Sequence, residues 1–86
     1  MPELSRFFGI VVMMYARDHS PPHFHARYGE HEALIDIEST EVLRGTLPRR
    51  AMQMVEEWTE LHRQDLRAAW DALSQGVVPA QIEPLD

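Results

Sequence analysis

The sequence contains no cysteine, which excludes disulfides and thiolate metal sites and is compatible with a reducing compartment. Lysine is missing as well: all eight basic residues are arginine. Arginine suits bidentate contact with phosphate, but a genome-wide codon bias accounts for the absence of lysine equally well. No apolar run reaches membrane length. The longest, Phe7 to Ala16, is about half of what a spanning helix needs. Met1-Pro2-Glu3 offers no basic segment ahead of an apolar stretch, so no signal peptide is expected and the expected location is cytoplasmic, away from membranes. A glycine-rich phosphate loop, a zinc finger, an aromatic-rich basic strand, internal repeats and low-complexity segments are also absent.

What remains is an ordinary globular composition, with 86 residues, 44% hydrophobic and 26% charged. That makes one domain over 1–86 with a modest core. The net charge of −6 is unevenly placed, since residues 1–50 hold six arginines and seven acids whereas 51–86 hold two and seven. The acidic half suits a basic partner and repels nucleic acid.

The chain is organised around Asp18-His19-Ser20-Pro21-Pro22-His23-Phe24-His25-Ala26, which holds three of the five histidines and two of the six prolines. The Pro-Pro pair prevents a helix from starting there and pushes the backbone towards extended geometry. A strand follows, so His23 and His25 project from one face while Phe24 and Ala26 project from the other.

Around this stretch the pattern predicts an α+β fold: a small antiparallel sheet of about four strands, packed against a C-terminal helix or helix pair. Glu3 to Arg6 is a lead-in. Phe7 to Tyr15, apolar on both faces, predicts the first strand, with Gly9 marking a bulge or a close backbone approach. The second strand covers His23–Tyr28 and the third His31–Glu38, joined by a two-residue hairpin turn at Gly29-Glu30. That register sets His23 opposite Asp36 and Arg27 opposite Glu32, and collects Phe24, Ala26, Ala33, Ile35 and Ile37 on a buried face. A fourth strand runs from Val42 to Thr46, so strands occupy about 7–47, the helical region about 48–75 and an extended tail 76–86. The helical stripe comprises Ala51, Met54, Val55, Trp58, Leu61, His62, Leu66, Ala69, Trp70 and Leu73. It forms one helix or two broken near His62, where Asp65 three residues on resembles a capped restart. The histidine face is expected to turn away from this stripe.

Two chemistries compete for that face. Two imidazoles on a strand can share a metal with a third ligand from His19, Asp36 or Asp18. A surface strand with locally bonded histidines explains the same spacing, and no resident metal or cofactor is expected. Alternatively, a carboxylate beside His23 fixes its tautomer for acid–base work. The catalytic candidates are then His19, His23, His25, Arg27 and Asp36, with Arg6 and Arg17 binding the scissile phosphate. This is a metal-independent, ribonuclease-like constellation, although ordinary cross-strand pairing yields the same neighbours. Trp58 and Trp70 read as core and the methionines as gap fillers. Arg49-Arg50 sits badly with the helix dipole, unless it binds acids or phosphate.

These residues resemble a family of small bacterial proteins known as a domain of unknown function. The likeness rests on Arg6-Phe7-Phe8-Gly9-Ile10-Val11, Tyr15, Asp18-His19, Pro21-Pro22-His23-Phe24-His25-Ala26, Tyr28-Gly29-Glu30, Gly45, Leu47-Pro48, Trp58, Leu66 and Trp70. It departs at Thr40, where the family usually has glycine, and at Ala69, where asparagine often precedes the tryptophan. The resemblance implies a second small protein encoded nearby, in a toxin–antitoxin module of which this is the toxin half. The expected function is accordingly the toxin component of a bacterial type II module, acting on RNA or translation through the histidine face and held by a small antitoxin-like partner. A homo-oligomer is compatible with this. The alternative is a non-catalytic ligand- or partner-binding module that uses the histidine face, with or without metal.

Overall fold

The computed structural model describes residues 2–16 and 18–86. Five antiparallel strands form one sheet in sequence order, β1 (Glu3–Phe7), β2 (Ile10–Met13), β3 (His23–Tyr28), β4 (His31–Asp36) and β5 (Val42–Gly45), followed by α1 (Arg49–Ser74). The α+β class is as the sequence predicts. The first strand is not. Phe7 to Tyr15 folds as part of a hairpin, because Phe8 (φ 49°) and Gly9 (φ 82°) both enter the left-handed region and reverse the chain. Two successive positive φ values match the twist of a tight hairpin. The segment expected as a lead-in thereby becomes β1, paired with β2 through Phe7↔Ile10 and Arg6↔Val11.

The central hairpin follows the predicted register residue for residue, with His23↔Asp36, Phe24↔Ile35, His25↔Leu34, Ala26↔Ala33 and Arg27↔Glu32. Gly29 turns it at φ 60°. Phe24, Ala26, Ala33, Ile35 and Ile37 are all fully buried. Slipping the register by one residue would expose this apolar set, which is why the alternation fixes it.

Helix α1 covers that face with Ala51, Val55, Trp58, Thr59, Leu66, Ala69 and Leu73. Trp58 lies at the centre, its ring 5.4 Å from Phe7 and 6.0 Å edge-on from Phe24. Each such fully buried side chain contributes about 1.5–3 kcal/mol of transfer free energy. The helix is continuous but kinked, with non-helical angles at His62. His62 Nδ1 meets Asp65 Oδ2 at 3.2 Å, which supports the restarted turn. Leu61, expected in the stripe, is 67% exposed. His62 takes the inward place instead, its ring 5.6 Å from Trp58.

The tail closes one edge of the sheet. Ile82 N–H donates to the Leu4 carbonyl at 2.8 Å, and the Trp58 indole N–H donates to the Glu83 carbonyl at 2.8 Å. Strand β5, at the other edge, is exposed along its length. Among the described residues no helix is long and apolar enough to cross a membrane.

Candidate functional site

The histidines of β3 differ from a solvated strand face. His23 opens the strand and is only 3% exposed. Its Nδ1 lies 2.8 Å from the Pro21 carbonyl oxygen. A carbonyl only accepts, so Nδ1 carries the proton and donates. Its Nε2 lies 2.9 Å from Asp18 Oδ2. His25, two residues on, places Nδ1 3.1 Å from Glu32 Oε2, again a donation to an acceptor. Its Nε2 is buried without a hydrogen-bond partner and stands 3.7 Å from the same Asp18 oxygen. The two rings lie 5.5 Å apart, and Tyr15 meets His25 edge-on at 4.4 Å.

Asp18 comes from the loop ahead of the Pro-Pro pair. The His19 backbone N–H donates to its Oδ1 at 3.0 Å, with His19 Nδ1 at 3.1 Å, so Oδ2 is the oxygen turned to the two rings. Burial raises the carboxyl pKa, but the His19 N–H, the charge of His23 and the hydrogen bonds from both histidines together outweigh it and hold Asp18 below the usual aspartate range. One donor atom each from Asp18, His23 and His25 falls within 4.8 Å of the others.

The helix reaches this centre. Beyond the His62 kink, α1 brings Trp70 to within 5.4 Å of the His23 ring. The expectation that the histidine face turns wholly away from the helical stripe therefore fails at His23, which the helix end helps to bury. Two cavities flank the cluster. One of about 200 Å³ is lined by Tyr15, Asp18, Ser20 and Trp70. The other, of about 210 Å³, is lined by His19, Pro21, His23, Leu43 and Arg44. A larger groove, about 720 Å³, lies elsewhere, along Glu56, Glu57, Glu60 and the exposed Leu61.

A model of a domain of unknown function, DUF4160, matches residues 9–71. The chain belongs to this family. Searches of curated proteins and of solved structures found no match. The DUF4160 span contains every residue of the cluster, together with Tyr15, Glu32, Arg44 and Trp70 around it.

Within that span the expected residues part company. His23, His25 and His19 gather at Asp18, with His19 almost fully exposed at the rim. Asp36 stands opposite His23 in register, but its carboxylate turns away to accept from the Glu38 and Ser39 backbone N–H groups at 2.8 and 3.0 Å. An aspartate at a strand end prefers such local turn bonds, so Asp18 is the carboxylate beside His23. Arg27 faces Glu32 in the ladder, yet Glu32 is bonded to His25 and Arg27 Nη2 points to Met13 Sδ at 3.9 Å. Arg6, on β1, is tied to Glu3 at 2.8 Å and is not part of the cluster. Arg17 lies outside the described residues. Sequence reasoning set Glu32 on the histidine face, opposite Arg27, but missed Arg44, Tyr15 and Trp70 as neighbours of the site. The register sets Glu32 diagonal to His25 on the same face, which is how it reaches that ring in place of Arg27.

Proposed function

We propose that this DUF4160 protein is the effector half of a bacterial toxin–antitoxin pair and acts on RNA, or on translation, through the Asp18–His23–His25 centre. The observation that carries the reading is the His25 Nε2 lone pair, buried without a partner beside a carboxylate-bound imidazole. An imidazole nitrogen held out of water beside a second imidazole bonded to Asp18, with cavities reaching Asp18 on one side and His23 on the other, supports proton transfer at a phosphodiester.

Phosphate recognition falls to arginine. Arg44 lines the cavity that also exposes His19 and His23. Arg27 and Arg44 form no ion pair among the described residues, whereas Arg6, Arg63 and Arg67 do. Net charge of −6 gives no general attraction for RNA, so binding depends on these local cations and on a short substrate segment. A small basic partner is proposed to neutralise the protein, with the acidic groove along Glu56, Glu57 and Glu60 as the complementary surface.

The test is controlled expression in a host lacking the partner. Wild-type protein is expected to arrest growth, and His25→Ala, which empties a partly exposed position, is expected to relieve the arrest while melting close to wild type. Arg44→Ala should weaken the arrest without loss of fold. A folded His25→Ala protein that still arrests growth fully rules out this centre as the active one. An inert wild type that binds its neighbour-encoded protein tightly and stoichiometrically favours a non-catalytic binding module instead.

A further inference from the structure

The hydrogen bonds around the centre fix more than its location. In both histidines Nδ1 is occupied by an acceptor, the Pro21 carbonyl for His23 and the Glu32 carboxylate for His25. In the neutral ring the lone pair then resides on Nε2. Both Nε2 atoms converge on a single oxygen, Asp18 Oδ2, at 2.9 and 3.7 Å. Two lone pairs and a carboxylate oxygen repel one another unless a positive centre lies among them. A proton on His23 Nε2 satisfies one contact but leaves His25 Nε2 buried and unpartnered.

We infer that the positive centre is a divalent transition-metal ion, of the Zn²⁺ class, held by His23 Nε2, His25 Nε2 and Asp18 Oδ2. This goes beyond the proposed RNA chemistry and shares its centre, but it gives the His25 Nε2 lone pair to the metal, so in the metal-bound protein His25 is a ligand and not the base. Two imidazoles and one carboxylate are a three-ligand set that leaves a coordination position open. The outer contacts have the form seen around metal-bound histidines, with each Nδ1–H donated to a carbonyl or carboxylate that orients the ring and raises its basicity. Asp18 is prepared in the same way, because the His19 backbone N–H occupies Oδ1 and leaves Oδ2 to bind through one oxygen. The spacing suits insertion. Ligand bonds of about 2.0–2.2 Å in a tetrahedron put donors about 3.3–3.6 Å apart, between the two distances to Asp18 Oδ2. Burial of His23, with Trp70 and Tyr15 against the two rings, keeps competing water away.

The test uses the full chain without an affinity tag, stripped with a chelator and titrated by calorimetry with Zn²⁺ alone and with Co²⁺ alone. The expected result is one ion per chain, a visible Co²⁺ spectrum that Zn²⁺ abolishes, and a higher melting temperature in the presence of metal. Asp18→Asn and His25→Ala should each lower affinity at least 100-fold, and Glu32→Gln about 10- to 100-fold, as for other outer partners of metal-bound histidine. His31→Ala, an exposed residue at the far end of the hairpin, should bind as wild type does. Folding of each variant is checked by circular dichroism, and the wild-type melting shift needs no variant. A wild type with neither stoichiometric binding nor a melting shift overturns the inference, and so does unchanged affinity in a folded Asp18→Asn protein. Growth is scored separately. Arrest by a protein that binds no metal overturns this inference and leaves the effector reading standing, whereas metal binding by an inert protein supports it and removes that reading.

Discussion

Replacing His23 by alanine should unfold this protein far more easily than its place on a polar strand face suggests. The ring is 3% exposed, bonds through both nitrogens and packs 5.4 Å from Trp70 and 5.5 Å from His25. Its removal loses two hydrogen bonds, one to the Pro21 carbonyl and one to the partly exposed Asp18 carboxylate, together about 1–3 kcal/mol. The lost packing adds about 1 kcal/mol, for a total of about 2–4 kcal/mol. A domain of this size has roughly 4–13 kcal/mol in all, and each kcal/mol moves its melting temperature by about 4–8 °C. His23→Ala should therefore melt at least about 8 °C below wild type, approaching Phe24→Ala, which empties a core position at about 3–5 kcal/mol. Urea titrations followed by tryptophan fluorescence give the comparison directly. A His23→Ala protein within about 0.5 kcal/mol of wild type, the usual range for a surface change, would refute the reasoning that places this ring in a buried, bonded centre. For the same reason His25→Ala is the cleaner separator of activity from scaffold.

Gly45 adopts φ 77°, and a Cβ there would collide with the Glu32 carbonyl oxygen; Gly45→Ala should cost about 2–5 kcal/mol from left-handed strain and overpacking together, read from the same urea curves. Thr40 holds φ 63°, and Arg63 Nη2 donates to its Oγ1 at 2.8 Å. Thr40→Gly relieves strain while losing that bond and should change stability by less than about 1 kcal/mol, whereas Thr40→Ala loses the bond, keeps the strain and should cost about 1–2 kcal/mol; the reverse order would disprove this account of the turn. Glu38 is bonded at both oxygens by Arg67, at 2.7 and 2.6 Å, and that hydrogen bond chiefly lowers its pKa. A depressed carboxylate stabilises the fold above its unfolded pKa of about 4.3 and loses that contribution as pH falls through the folded value. Glu38→Gln should accordingly flatten the decline in urea midpoint between about pH 6 and pH 3, and an unchanged decline would show that the pair adds nothing.

The central hairpin was legible because two independent signals agreed, the Gly29-Glu30 turn and the alternation of Phe24 and Ala26 with His23, His25 and Arg27. The first hairpin was not. Phenylalanine gives no warning of a left-handed turn at Phe8, and the residues around it are apolar on both sides. Thr40 was legible only as a departure from glycine, and its positive φ supplies the physical reason for glycine there. The histidine pair could be read as a site, with Asp18 as one of three alternative third ligands beside His19 and Asp36, but the sequence could not choose among them. Register alone favoured Asp36, and only the path of the loop brings Asp18 across the start of β3. Arg44 lies on a strand exposed throughout and Trp70 arrives by way of a helix kink, so neither position carries a pattern pointing to the site. The case for a metal was also hidden, because it depends on which ring nitrogen each acceptor occupies.

Long-range proton–nitrogen NMR correlation of the imidazole side chains in the metal-free protein tests this centre most directly. The structure predicts a proton on Nδ1 in both rings, given by His23 to the Pro21 carbonyl and by His25 to the Glu32 carboxylate. Both Nε2 signals should shift on addition of Zn²⁺ while the Nδ1 protons remain. Finding His25 as the Nε2–H form, or Zn²⁺ shifting the signals of His31 and His62 but not those of His23 and His25, would contradict the account.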